Sequence, residues 1–145
     1  MTIDGWTALS AYVPPKERRG IVVVDPPYEQ PNEFARLVSG LEAAHRKWPT
    51  GTYLLWYPIK ERGEPDALAK RLARTQIPKI LRIEFELAAA QMDAGLRGSG
   101  LIIVNPPWML ETELAIVLPA LASVLGADQK NNWRLNWLAS EIMPQ

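Results

Sequence analysis

Hydrophobic positions along this chain fall into two kinds of pattern. Short unbroken apolar runs occur at Ile21-Val22-Val23-Val24, at Tyr53-Leu54-Leu55-Trp56-Tyr57 and at Leu101-Ile102-Ile103-Val104. Runs of this length, rich in β-branched and aromatic residues, predict strands buried on both faces. Between them the spacing becomes helical. Phe34, Leu37, Val38 and Leu41 form one stripe after Pro31, ending near Trp48-Pro49. Leu68 and Leu72 face inward over residues 64–77, with Lys70, Arg71 and Arg74 outward, and Leu114, Val117, Leu118 and Leu121 mark a helix over Glu111–Leu125 that Gly126 ends. Lys79–Leu87 alternates only in part, Ile80, Arg82 and Glu84 against Leu81, Ile83 and Phe85, which predicts a partly exposed strand near a sheet edge. Met1–Gly5 reads as the end of a strand, residues 6–12 as a short helix closed by Pro14-Pro15, residues 91–99 as a loop, Asp128–Asn132 as a polar turn and Trp133–Leu138 as a closing strand. Strand, helix, strand from residue 21 to 59 is a βαβ unit, so the fold class is α/β, with a single domain over residues 1–145.

Proline decides where these strands stop. Asp25-Pro26-Pro27-Tyr28 follows the first run, and two prolines cannot continue a ladder, so Asp25 sits at the carboxyl end of its strand. Pro58 closes the second run in the same way. In open α/β sheets ligands bind beyond the carboxyl ends of strands. One reading of the quartet is a turn with a capping aspartate. The other is chemical. An exocyclic amine on adenine is a poor nucleophile until its N–H groups are held by two acceptors, which the Asp25 carboxylate and a backbone carbonyl within Pro26-Pro27 can supply, while Tyr28 offers a ring on which an extruded base can stack. Asn105-Pro106-Pro107-Trp108 repeats the pattern after the third run. Asp25 is preferred over Asn105 because only a carboxylate can also take up the released proton; the second quartet would then shape the floor of the same cleft.

Composition narrows the chemistry. Cysteine is absent and His45 is the sole histidine, so thiolate and histidine metal clusters are excluded; His45, beside Arg46 and Lys47, is expected at the surface. Sixteen basic and sixteen acidic residues give a net charge of zero, without the basic excess usual in proteins that grip long nucleic acid. Lys16, Arg18 and Arg19 make a local basic cluster before the first strand, either a solvated loop or a phosphate contact at the cleft mouth. The basic face of residues 64–77 reads as a solvated face. No apolar run approaches ~18 residues and the first residues lack an export signal, so a cytoplasmic location is expected.

Asp4-Gly5-Trp6, Pro14-Pro15 with Arg18-Arg19-Gly20, Asp25-Pro26-Pro27-Tyr28-Glu29, Gly51-Thr52-Tyr53 with Leu55-Trp56-Tyr57-Pro58, and Val104-Asn105-Pro106-Pro107-Trp108 occur in this order. Together they resemble the RlmJ-type 23S ribosomal RNA adenine-N6 methyltransferases along essentially the whole chain. The resemblance implies a class I, Rossmann-like fold, S-adenosylmethionine as methyl donor without a metal, and ribosomal RNA as substrate. It implies that Asp25, Pro26, Pro27 and Tyr28 are the catalytic quartet, that Asp4, Gly5 and Asp25 touch the cofactor, and that the Asn105 quartet is not catalytic. An older label for the family concerns the use of external DNA as a nutrient. The resemblance covers only the carboxyl half of such an enzyme: the first strands and the glycine-rich donor loop have no counterpart here, so the chain is expected to be inactive alone. The alternative is a non-catalytic interaction or nucleic-acid-binding module derived from the fold. Without the first strands, Ile21–Val24 has a bare edge, and self-association through it is expected.

Overall fold

The computed structural model describes residues 2–87, 95–125 and 132–140. The three apolar runs form β1 (Ile21–Val24), β2 (Thr52–Ile59) and β4 (Gly98–Val104), and the two weaker ones form β3 (Ile80–Glu86) and β5 (Trp133–Ala139). Helices α1 (Gly5–Tyr12), α2 (Glu33–Lys47), α3 (Gly63–Ala73) and α4 (Leu110–Val124) fall between them. The five strands make one sheet in the order β1-β2-β4-β3-β5. β1 and β2 run parallel, whereas β4 runs antiparallel to both of its neighbours and β5 antiparallel to β3. The expected βαβ unit is β1-α2-β2.

Each face of the sheet has its own core. Leu37, Leu41, Leu68 and Leu72 from α2 and α3 pack on Tyr53, Leu55, Tyr57, Ile80 and Ile102. Leu118 of α4 packs on Leu81, Ile83 and Ile103 on the other face, with Leu110 and Leu114 beside it. Side chains of opposite parity on a strand therefore meet different helices.

Several expectations are corrected. Residues 2–4 are not a strand: Asp4 caps α1, its carboxylate accepting the Thr7 backbone N–H at 2.9 Å. Pro58 does not end β2, which continues to Ile59 opposite Gly98. β1 is not buried on both faces. Val22 and Val24 meet the α2 core, but Ile21 and Val23 are 66% and 68% exposed, because α4 covers β3 and β4 and leaves β1 uncovered. In α4 the buried positions are Leu118 and Ala122; Val117 and Leu121 of the expected stripe are exposed. Residues 98 and 99 belong to β4 rather than to a loop, and residues 88–94, Gly126 and all of the 128–132 turn except Asn132 lie outside the described residues.

β3 is the largest departure. It lies inside the sheet, and Glu84 is only 1% exposed. The reason is its neighbour across β4. Gly100 pairs with both Tyr57 and Glu84. A Cβ on Gly100 would lie 2.1 Å from the Tyr57 ring, so only glycine lets Tyr57 reach across β4 and donate its hydroxyl to Glu84 Oε1 at 2.8 Å. Arg62 Nη1 completes the site 2.9 Å from Glu84 Oε2. An alternating strand thus carries a buried carboxylate where exposure was expected, because two arginine-bearing elements close over it: Arg62 at the start of α3 and Arg134 on β5, 3.8 Å away.

Candidate active site

β1 ends where Pro26 and Pro27 remove its ladder donors, and the chain turns sharply. Tyr28 sits at φ 55, a left-handed conformation uncommon for an aromatic residue. That turn separates the quartet's side chains. Asp25, Pro26 and Pro27 line a cavity of about 940 Å³ that runs beside β1 and α1, together with Asp4, Gly5, Trp6, Arg19 and Glu33. Tyr28 faces a smaller cavity of about 340 Å³ with Phe34, Pro58, Lys60, Glu61 and Glu64. The tyrosine is held firmly: its hydroxyl donates to the Trp56 carbonyl, and its ring lies 5.0 Å from Phe34 and 5.9 Å from Trp56. Burial, and then the charges of Asp25 and Glu33, push its hydroxyl pKa well above the usual range, so it stays protonated as a donor.

The structure therefore brings Asp4, Gly5, Asp25, Pro26 and Pro27 to one cavity and places the Tyr28 ring at the other. The hydrogen bond from Thr7 holds the Asp4 carboxyl below its ordinary range. Arg36 of α2 stacks over Trp6, 4.9 Å from the ring centre, which ties α1 across the cavity floor to α2. Lys16 and Arg18 are exposed in the loop ahead of β1, and only Arg19 of that cluster reaches the cavity.

The second quartet is elsewhere. β4 is antiparallel to β2, so its carboxyl end lies beside the amino end of β2: Val104 pairs with Tyr53, whereas Val24 pairs with Leu55. Asn105 consequently sits at the level of Thr52, whose hydroxyl donates to its carbonyl at 3.1 Å. Asp25 sits about four residue levels away, roughly 13 Å along the strands. Asn105 does not shape the floor of the Asp25 cleft. Its amide Nδ2 donates to the Pro49 and Gly51 carbonyls, each at 2.8 Å, pinning the loop before β2. Trp108 is 89% exposed.

Glu33 was not singled out by sequence. It is buried in the first turn of α2 and lines the larger cavity, and its Oε2 has no hydrogen-bond partner among the described residues. An acidic residue at a helix start is so often only a dipole partner that nothing marks this one in advance. His45 is also corrected: it is half-buried against Tyr53, with Nε2 unpartnered, and burial lowers its pKa. Among the described residues no group of histidine, aspartate and glutamate side chains is arranged to hold a metal ion, and no helix is long and apolar enough to cross a membrane.

Fold and cavity together define a mixed α/β protein with a large cavity running along β1 and the proline turn that follows it. A profile of the family described as "Ribosomal RNA large subunit methyltransferase D, RlmJ" matches residues 1–139, and the chain belongs to that family. It is 37% identical over 138 residues to proteins named ribosomal RNA large subunit methyltransferase J from Haemophilus influenzae and from Escherichia coli, covering 95% of this chain and 49% of each relative. The crystal structure of protein LPL1258 from Legionella pneumophila superimposes with a TM-score of 0.78 at 30% identity, over 92% of this chain and 48% of that one. The chain thus spans about half the length of the relatives it matches.

Proposed function

We propose that the chain is the acceptor-binding half of a class I methyltransferase that transfers a methyl group from S-adenosylmethionine to the N6 amine of an adenine in 23S ribosomal RNA. The observation that carries this reading is the convergence of Asp4, Gly5 and the Asp25-Pro26-Pro27 turn on one cavity that runs along β1. The order β1-β2-β4-β3, with β4 alone reversed among these four, supports a class I sheet from which the first strands are absent. The names of the relatives supply the ribosomal RNA substrate.

The residues at the cavity fit such a donor. Glu33 Oε2 is a buried acceptor with no donor, a costly state that a ligand's N–H or positive charge would relieve. Asp4 and Asp25 add further carboxylates beside the apolar walls of Trp6, Val22 and Trp48. When bound, S-adenosylmethionine supplies an electrophilic methyl group on a positively charged sulfur. The Asp25 carboxylate accepts one N–H of the adenine amine and a carbonyl of the proline pair accepts the other, which localises the nitrogen lone pair. Pro26 is buried and Pro27 fixes its own φ, so these acceptors are held before substrate arrives. Transfer would form the N–C bond as the methyl–sulfur bond breaks, leaving a neutral thioether, and the nitrogen's surplus proton would pass to the Asp25 carboxylate. Tyr28, locked by Trp56 and Phe34, buttresses the proline turn from the smaller cavity. Half of the relatives' length has no counterpart here, so turnover by these 145 residues alone is not expected.

The test is calorimetric titration of S-adenosylmethionine into the purified chain, with Asp4→Ala and Asp25→Ala alongside. Binding that both substitutions weaken by roughly tenfold or more supports the reading, since each removes a charged contact. Binding indifferent to both sinks the site assignment. No binding by the folded chain, restored when the amino-terminal half of a relative is supplied, favours half of an enzyme over a stand-alone module.

A further inference from the structure

The net charge of zero conceals a segregation of charge that the fold creates. β1, β2 and β3 all run in one direction. Helices α2 and α3 each return between two of them, so they run the other way, side by side on one face of the sheet. Their carboxyl ends therefore meet at the edge where the three strands begin. α2 brings Arg46 to that edge, α3 brings Lys70, Arg71 and Arg74, and the loop before β1 brings Lys16 and Arg18; all six are exposed. Gly20 abuts the Trp48 ring at the end of α2, which sets this loop against the helix ends. Among the described residues none of the six is held in an ion pair. Glu17 and Glu42 are the carboxylates interspersed with them.

The opposite edge has the reverse sign. Asp25 and Glu29 follow β1, Glu61 follows β2, and Glu64 and Asp66 open α3. Arg62, in the same place, is already held by Asp66, Glu84 and Glu86. The crevice edge of this chain therefore repels a phosphate backbone, and a grip on a polynucleotide has to come from elsewhere on the chain. A cation in a last helical turn is commonly just a partner of the helix dipole. That effect fades within one turn and is private to each helix. It accounts neither for two basic helix ends side by side nor for Lys16 and Arg18, which belong to no helix.

We propose that the edge formed by the carboxyl ends of α2 and α3 and the loop before β1 is a docking surface for the RNA backbone. It rests on the reading of ribosomal RNA as the substrate and adds to it where the strand is gripped. β2 is eight residues long, so this surface and the crevice lie roughly 25 Å apart. A folded RNA spans that distance while one adenine enters the crevice. Four of the six cations are arginines, whose planar guanidinium groups take phosphate oxygens in pairs. Phosphates carry no base identity, so the surface sets affinity and orientation and leaves sequence unread.

Titrating the purified chain into a short, fluorescein-labelled single-stranded RNA and following anisotropy tests this. The logarithm of the association constant should fall with the logarithm of salt concentration at a slope of about −3 to −4, four or five phosphates at about 0.7 each. Arg71→Gln combined with Arg74→Gln should weaken binding roughly tenfold or more and reduce that slope by about 1.4. Arg46→Gln should act in the same direction, and Glu42→Gln should tighten binding. Glu111→Gln, at the start of α4 on the other face of the sheet, should leave it as it is. Circular dichroism checks that each variant is folded. Absent binding, binding that ignores salt, a double variant as tight as the wild type, or displacement of the RNA by polyglutamate as readily as by unlabelled RNA overturns the proposal. No methyl donor enters the measurement. RNA bound through these residues by a chain that fails to bind S-adenosylmethionine therefore refutes the donor site alone, and donor binding without RNA binding refutes this surface alone.

Discussion

His45 shows how a single half-buried group imposes a pH dependence on the whole chain. Burial disfavours its charged form, so its folded pKa lies below the unfolded 6.5. The unfolded state then binds the proton first. The stability this group contributes is fully present above pH 6.5 and is lost as pH falls through the folded value. Denaturant midpoints measured at pH 7.5 and 5.5 should differ more in the wild-type chain than in His45→Gln, which cannot titrate. Glu84 is the opposite case, a buried charge that needs its partners. Glu84→Ala leaves Arg62, Arg82 and the Tyr57 hydroxyl without their shared acceptor. A cost of about 3 kcal/mol is expected, at the low end for a broken buried pair because Arg62 keeps some access to water. Equilibrium unfolding in urea measures it. Gly100→Ala attacks the same cluster sterically, and its Cβ must displace the Tyr57 ring. A loss of roughly 1–3 kcal/mol follows from overpacking, and a partial rescue by Tyr57→Ala would confirm the clash.

At the scale of elements, the two proline quartets show what strand direction does to equal sequence. Both end apolar runs, and both carry a residue with positive φ: Tyr28 at 55° and Asn105 at 52°. β1 runs with β2 and delivers Asp25 to the crevice; β4 runs against β2 and delivers Asn105 to the opposite end. Asn105→Asp should therefore not create a second acceptor site. It replaces two donated hydrogen bonds with a carboxylate facing the Pro49 and Gly51 carbonyls. A loss of about 2–3 kcal/mol is expected, two hydrogen bonds at about 1 kcal/mol each plus repulsion. Donor binding measured by calorimetry should be unchanged in the folded fraction, and a weakened affinity would place Asn105 at the cleft after all. Helix α1 belongs to this scale too. Asp4 caps it and also lines the cavity, so Asp4→Asn, which keeps a capping oxygen, should preserve the thermal midpoint better than Asp4→Ala while still weakening the binding of a cationic ligand.

At the scale of the whole molecule, Ile21 and Val23 on one face of β1 are exposed among the described residues, and the large cavity runs along this strand. This space holds the residues proposed to bind the donor. The sequence by itself determined most of the elements and, where prolines stand in pairs, the ends of the strands. Apolar runs against helical spacing separate β from α, and paired prolines remove ladder donors wherever they stand, so Asp25 had to be a strand terminus. It also carried the family, because five motifs in order leave little freedom. What only the tertiary structure decided was adjacency. Strand direction sent one quartet to the crevice and the other away from it, a glycine on β4 let Tyr57 and Glu84 meet through an intervening strand, and the extent of α4 left Ile21 and Val23 uncovered. None of these is local, since each depends on which segments lie side by side, and a residue's own neighbours in the chain do not encode that.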